Sequence, residues 1–282
     1  MSYPSVLLHL DDDARADVRN EQVVQFAKRL GSHLKGLSCH RPVPTGAAFG
    51  AVIGGLNDAL TIDLQHAQQS AMERERRFRA LCDRQGLRSF DTDVDESEEA
   101  SRGLLHRAPL HDLIVLGQPD PSDPEASRRL EVVENVVLNN PRPTLLLPYA
   151  GRFEDFGHTA LVAWDGSHGA ARAVGDALGL LKRAEAVHVV LFDRRSGESG
   201  VIDQAPVRGV VRWLERHGIA ANGRVSYLRS DIGNALLSHA ADIGADLLVM
   251  GSWSRAPWTE RLLGGATRTV MTSMTVPVFT SR

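Results

Sequence analysis

The sequence has few of the features that mark several large classes of protein. Its 282 residues include only two cysteines, Cys39 and Cys82. Two are too few for a disulfide framework or a zinc site, and they suit a reducing compartment. No run approaches the roughly 18 apolar residues that a membrane span needs. We therefore expect a cytoplasmic protein that does not enter a membrane.

An excess of positive charge is also missing. The chain carries 32 Lys and Arg against 35 Asp and Glu, a formal net charge of −3, which argues against nucleic acid as a partner. Its one basic cluster, Arg-Glu-Arg-Arg at residues 74–77, includes an acidic residue and lies on a predicted helix. This pattern is typical of a solvated helix face.

Catalytic and metal-binding motifs are absent too. The sequence holds no Gly-Lys-Ser/Thr phosphate loop, no Gly-x-Ser-x-Gly elbow and no helical His-x-x-His pair. These absences predict no catalytic residues and no metal site. The acidic run at residues 11–13 could hold a metal, but its position between a strand and a helix favours helix capping, and Ser167 is a candidate N-cap in the same way.

Short apolar runs that predict buried strands alternate with amphipathic segments that predict helices. The predicted strands fall into two sets of five, at residues 5–10, 34–40, 88–94, 111–116 and 142–147, and at 159–164, 185–192, 223–228, 245–250 and 276–280. This order predicts an α/β protein of two tandem flavodoxin- or Rossmann-like domains, each a five-stranded parallel sheet flanked by helices. We place the domains at residues 1–150 and 151–282. Residues 41–57, rich in Pro, Gly and Ala, fit no regular element and are a candidate lid or a disordered loop.

The two sets of strands repeat one another in sequence. His111–Gly117 aligns with Ala245–Gly251 at a shift of 134 residues, and Pro143 aligns with Pro277 at the same shift. This internal repeat predicts a duplicated domain. We expect the closing strand of each half to lie near the contact between the halves.

Three segments carry a resemblance to a known family: Ala-Leu-Val-Ala-Trp-Asp-Gly-Ser at residues 160–167, Asp-Leu-Leu-Val-Met-Gly at 246–251 and Val-Pro-Val at 276–278. The chain resembles a tandem universal stress protein, with two such domains fused. The resemblance implies a non-enzymatic stress-response protein whose two halves imitate the family's dimer within one chain. A further homodimer and an unknown protein partner stay open.

The resemblance also implies a nucleotide site in the second half only. ATP-binding members of the family carry Gly, two residues, Gly, nine residues, Gly, then Ser or Thr. Gly251 and Gly264 fit this pattern, whereas Ser254 replaces the second glycine and Gly265 the hydroxyl residue. By resemblance, ATP or AMP would place its adenosine end at Asp165, Met250 and Gly251, and its phosphates at Gly264, Gly265, Ala266 and Thr267, where Thr267 could supply a hydroxyl.

The first half departs further from the pattern. At the shift of 134 residues, Asp120 stands in the place of Ser254 and Glu131 in that of Gly265. Two carboxylates beside a phosphate would repel it, so we expect no triphosphate in this half.

Two other functions remain open at this stage. The first is an interaction module with an empty cleft, which the incomplete glycine pattern would suit. The second is an adenine-nucleotide hydrolase or transferase, which needs a base and a metal carboxylate, with only Asp165 and Glu260 near the expected phosphates.

Overall fold

The computed structural model describes residues 3–39, 57–95, 100–153, 155–193, 204–227, 231–252 and 265–282, without the side chains of residues 57–64 and 193. Its strands are β1 (Ser5–Leu10), β2 (His33–Cys39), β3 (Phe90–Asp95), β4 (Leu113–Gly117), β5 (Thr144–Leu147), β6 (Thr159–Ala163), β7 (Ala186–Asp193), β8 (Ala221–Tyr227), β9 (Leu247–Gly251) and β10 (Val278–Ser281). Its helices are α1 (Ala16–Leu30), α2 (Asn57–Gln85), α3 (Ala100–Arg107), α4 (Ala126–Asn139), α5 (His168–Asp176), α6 (Leu178–Leu181), α7 (Ala205–Arg216), α8 (Ile232–Asp242) and α9 (Gly265–Ser273).

All ten strands form one sheet, in the order β3-β2-β1-β4-β5-β10-β9-β6-β7-β8. Each half contributes five parallel strands, which confirms the predicted α/β class and the five-stranded parallel units. The halves meet where β5 pairs antiparallel with β10, with Leu145 opposite Phe279. The sequence places these closing strands near the contact, but it does not show that the two sheets merge into one.

Helices cover both faces of this sheet. One core holds side chains from α1, α2, α5, α6 and α7, and the opposite core holds side chains from α3, α4, α8 and α9. Each core contains residues from both halves, because the sheet beneath it is continuous. The division at residue 150 therefore stays a prediction.

Glycine sets two of the helix boundaries. Gly86 follows α2 with a φ of +67°, which ends this helix where the sequence predicts. The predicted helix over residues 169–183 instead divides into α5 and α6 at Ala177. Gly175 and Gly179 lie on either side of the break, and glycine has a low helix propensity.

Candidate functional site

The candidate site in the second half lies at the carboxyl ends of β6 and β9. These neighbouring parallel strands form a switch point, because the chain continues from β6 to β7 on one side and from β9 to β10 on the other. Ligands of open α/β sheets bind in the crevice at such a point. The loops that leave β6 and β9 lead into α5 and α9, so the amino termini of both helices lie at this edge. Unpaired N–H groups and the helix dipoles favour an anion there.

Asp165 lies in the loop between β6 and α5 with its side chain exposed. Its Oδ1 accepts a hydrogen bond from the Ser167 N–H at 2.9 Å. Ser167 Oγ in turn accepts from the Ala170 N–H at 3.1 Å, which confirms Ser167 as the N-cap of α5. The loop thus holds the Asp165 carboxylate at the open edge of the sheet.

Met250 and Gly251 end β9, and they are placed differently. The Met250 side chain is buried in the core on the face of α8 and α9, and its backbone pairs with Thr280 of β10 within the sheet. A Cβ at Gly251 would lie 2.5 Å from the Ala170 nitrogen and 2.6 Å from the Gly169 carbonyl carbon. Glycine is needed here because the first turn of α5 packs directly against the end of β9.

The first turn of α9 contains the other described candidates. Gly265 is exposed, and no atom of the described residues lies within 4 Å of where its Cβ would be. Thr267 is buried, and its hydroxyl donates to the Ser252 carbonyl oxygen at 3.4 Å. The predicted contact of Thr267 with a phosphate would require this side chain to turn outward. At this edge the structure places Asp165, Met250, Gly251, Gly265, Ala266 and Thr267, whereas Ser254, Glu260, Gly264 and the loop at 41–56 lie outside the described residues.

The first half has a cavity of about 420 Å³ at its own switch point, between β1 and β4. Both acids and bases line it, and the charged members are Asp11, Asp12, Arg74, Arg128, Arg129 and Glu131. The lining thus carries three carboxylates and three guanidinium groups, so its formal charge is zero when His9, which also lines it, is neutral.

The acidic run at residues 11–13 pairs with arginines, and its predicted capping role is wrong for Asp11 and Asp12. Asp13 Oδ1 does accept a hydrogen bond from the backbone N–H of Arg15, the N-cap residue of α1, at 2.7 Å, although the side chain of Arg15 itself makes no capping bond. Asp11 and Asp12 instead form ion pairs with Arg129, and Asp13 pairs with Arg19 at 2.6 Å. Hydrogen bonds between two charged groups are stronger than those to a neutral amide, which favours the pairing of Asp11 and Asp12 with Arg129.

Arg74 is buried, whereas the sequence predicts that it lies on a solvated helix face. Only 8% of the residue is exposed. Its Nη2 donates to the Cys39 carbonyl oxygen at 2.7 Å and its Nε to Ser38 Oγ at 3.1 Å, while Nη1 lies 3.6 Å from Asp12. Arg76, two residues away, is exposed and pairs with Glu73, as a solvated helix face would predict.

The two carboxylates expected to repel a phosphate in the first half are not both at the cavity. Glu131 lines it, but Asp120 does not. Asp120 Oδ1 accepts hydrogen bonds from the backbone and hydroxyl of Ser122, which hold it in its own surface turn. Asp11 and Asp12 supply the additional acid instead.

Burial and charge shift the titration of groups around this cavity. Burial lowers the pKa of His9; Asp11 opposes this shift, and Arg19, Arg74 and Arg129 add to it. Burial acts to raise the pKa of Asp11, but the charges of His9 when it is protonated, of Arg19 and of Arg129 outweigh it and hold that pKa well below its ordinary value. His9 is therefore neutral and Asp11 ionised near neutral pH.

Sequence reasoning missed Arg129 and His9 as members of this cluster. Arg129 lies 118 residues from Asp11, and no local pattern links the two.

Within the described part of the chain, no group of three or more His, Cys, Asp or Glu side chains could hold a metal ion. No helix there is long and apolar enough to cross a membrane.

A sequence model of the universal stress protein family matches residues 158–282. Among solved structures, a universal stress protein from Archaeoglobus fulgidus superposes with a TM-score of 0.73 at 16% identity, covering 100% of this chain and 99% of that one. A protein of unknown function from Pseudomonas aeruginosa PAO1 gives a TM-score of 0.62 at 14% identity, covering 98% and 92%. A further match, over 43% of this chain and 94% of the other, is a universal stress protein in complex with cAMP, with 21% identity and a TM-score of 0.34. No curated protein matches the chain. The two full-length likenesses show the fold, and the sequence match shows the family of the second half.

Proposed function

We propose that this chain is a cytoplasmic, non-enzymatic stress-response protein that binds one adenine nucleotide, ATP or AMP, in its second half. The proposal starts from the match of residues 158–282 to the universal stress protein family and from the similar fold of the N-terminal half. The nucleotide acts as a structural or signalling ligand. The two halves form a pair within one chain.

The observation that carries this proposal is the meeting of two helix amino termini at the switch point between β6 and β9. The first turn of α9 begins at the exposed Gly265, and the N–H groups of a helix's first turn can bind a phosphate. Asp165 at the same edge is an exposed carboxylate that can accept hydrogen bonds from a ribose or a base. Between them, Gly251 keeps the end of β9 free of a side chain.

The first half lacks this combination. Its cavity already contains paired charges of both signs, and Glu131 stands near where a phosphate would lie. An anion entering there would meet three carboxylates as well as guanidinium groups that already have partners. We propose that this half binds no nucleotide.

Isothermal titration of the full chain with ATP, AMP and adenosine tests the proposal. We expect one site per chain, and about tenfold weaker binding in Asp165→Ala, because a charged hydrogen bond contributes about 1.5–3 kcal/mol and 1.4 kcal/mol is tenfold. Asp120→Ala is the matched control in the first half, and we expect it to bind as the wild type does.

Each other outcome has a clear meaning. No heat with any of the three ligands would favour the interaction module. Release of inorganic phosphate from ATP, lost in Asp165→Ala, would favour the hydrolase. Two sites per chain would contradict the assignment of binding to the second half.

A further inference from the structure

The cavity of the first half lies between two elements that are far apart in sequence. One wall is the loop after β1, with Asp11 and Asp12. The other is the first half of α4, which includes Arg129 and Glu131. Cys39, at the end of β2, also lines the cavity. Any increase in the distance between the loop and α4 would therefore open it.

Arg129 joins these two walls. Its Nη2 lies 2.6 Å from Asp12 Oδ1, its Nη1 bonds Asp11 Oδ1, and its Nε lies 3.1 Å from Asp123 Oδ2. The side chain is only 13% exposed, and Asp11 and Asp123 are 18% and 17% exposed, so water screens these two pairs less than the pair with Asp12, which is 39% exposed. All three guanidinium nitrogens are thus engaged, two of them across the cavity and one within the segment that leads into α4.

The adjacent Arg128 provides a contrast. It lines the same cavity, but its Nε pairs at 3.2 Å with Glu125, three residues earlier in the chain. Its side chain is 40% exposed. Of these two neighbouring arginines, only Arg129 forms ion pairs with the loop after β1.

We propose that Arg129 is a latch that holds the first-half cavity closed by tying the loop after β1 to α4. Charge-assisted bonds to three carboxylates fix the guanidinium group in one place. Without it, Asp11, whose side chain is 18% exposed, would lose this ion pair, and Asp12, which is 39% exposed, would keep the longer contact with Arg74 at 3.6 Å. Both carboxylates would then draw water into the space between the walls.

The two cysteines of the chain report on the latch. Cys39 lines the cavity, whereas Cys82 of α2 is fully buried in the core on the opposite face of the sheet. Burial raises the pKa of both thiols to about 12, so both react slowly in the closed protein. Opening of the cavity would expose Cys39 alone, while unfolding of the first half would expose both.

Site-resolved alkylation of the full chain with iodoacetamide, followed by mass spectrometry, tests this proposal. We expect Arg129→Gln to accelerate alkylation of Cys39 by at least about tenfold and to leave Cys82 unchanged, since local opening exposes only the groups in the opened segment. Arg128→Gln, the matched control, should alkylate like the wild type. An unchanged Cys39 rate in Arg129→Gln, or an equal effect of Arg128→Gln, would overturn the proposal.

A second variant is needed if Arg129→Gln unfolds the first half as a whole. If both cysteines react rapidly in Arg129→Gln, then Arg129→Lys decides, because lysine keeps the charge but has no fork to span three carboxylates. Selective acceleration at Cys39 in Arg129→Lys would support the latch. Acceleration at both cysteines, or at neither, would overturn it.

Discussion

The phenolic hydroxyl of Tyr3 donates a hydrogen bond to the Asp176 carbonyl oxygen at 2.6 Å, which ties the start of the first half to the end of α5 in the second. Tyr3 is buried, and its ring lies 6.0 Å from that of Phe279 on β10. This contact lies beside the seam where β5 and β10 join the two halves. It supports the description of the protein as one continuous structure.

Removal of this hydroxyl should weaken the joined structure. We expect Tyr3→Phe to lower the free energy of unfolding by about 1 kcal/mol, because a partly buried acceptor loses its donor while the ring stays packed. Urea unfolding measures this change. Tyr227→Phe on the edge strand β8, where the residue is 37% exposed, is the control and should have no measurable effect. Equal stability of the two variants would contradict this view of the seam.

Gly251 and Gly265 should respond in opposite ways to alanine. A methyl group at Gly251 would collide with the backbone of Gly169 and Ala170, and overpacking of this kind costs about 1–3 kcal/mol. A methyl group at Gly265 meets open space on a helix, where alanine is more stable than glycine by up to about 1 kcal/mol. Urea unfolding without nucleotide compares Gly251→Ala with Gly265→Ala. Similar values for the two variants would show that α5 does not pack on the end of β9 as described.

A carboxylate at residue 265 should give the second half the acidic side chain that Glu131 supplies at the aligned position of the first half. Like charges about 4 Å apart repel by about 4 kcal/mol near a protein surface, so we expect Gly265→Glu to weaken ATP binding by at least tenfold. The affinity for adenosine, which has no phosphate, should fall much less in Gly265→Glu. Gly265→Ala should bind both ATP and adenosine as the wild type does. Equal losses for ATP and adenosine in Gly265→Glu would contradict a phosphate at α9.

His9 should make the protein less stable in acid. Its folded-state pKa is lowered, so below about pH 6.5 the unfolded chain binds a proton that the folded chain resists. The free energy of unfolding should therefore fall as the pH drops from 7 toward the folded pKa, and His9→Gln should flatten this slope. His158 has a raised pKa through bonds to Asp155 and Glu185, so His158→Gln removes a stabilisation present at low pH and lost as the pH rises. If His9→Gln and the wild type lose stability equally as the pH drops, then the lowered pKa of His9 does not cause the loss.

The sequence predicts the strands of each half because they depend on local apolar runs and on a repeat that can be aligned. β4 and β9 are the strands of the aligned segments, and Gly86 ends α2 through a conformation that glycine favours. The merging of the sheets depends on pairing between Leu145 and Phe279, 134 residues apart, which no local pattern encodes.

The charge cluster of the first half illustrates the same limit. The composition around Arg74 is typical of a solvated face, yet the position of Arg74 on α2 points it at Ser38 and Asp12. Asp11 and Asp12 are residues of a type that caps helices, and they lie just before a helix. They nevertheless pair with Arg129, because α4 brings this side chain close to them. Tertiary proximity, rather than residue type, sets what these carboxylates do.

Native mass spectrometry of the full chain with ATP tests the central claim most directly, because it counts bound nucleotides. The account predicts one ATP per chain in the wild type and in Asp120→Ala, and none in Gly265→Glu under the same conditions. Two ATP per chain, or one ATP retained in Gly265→Glu, would contradict a single nucleotide site at the amino terminus of α9.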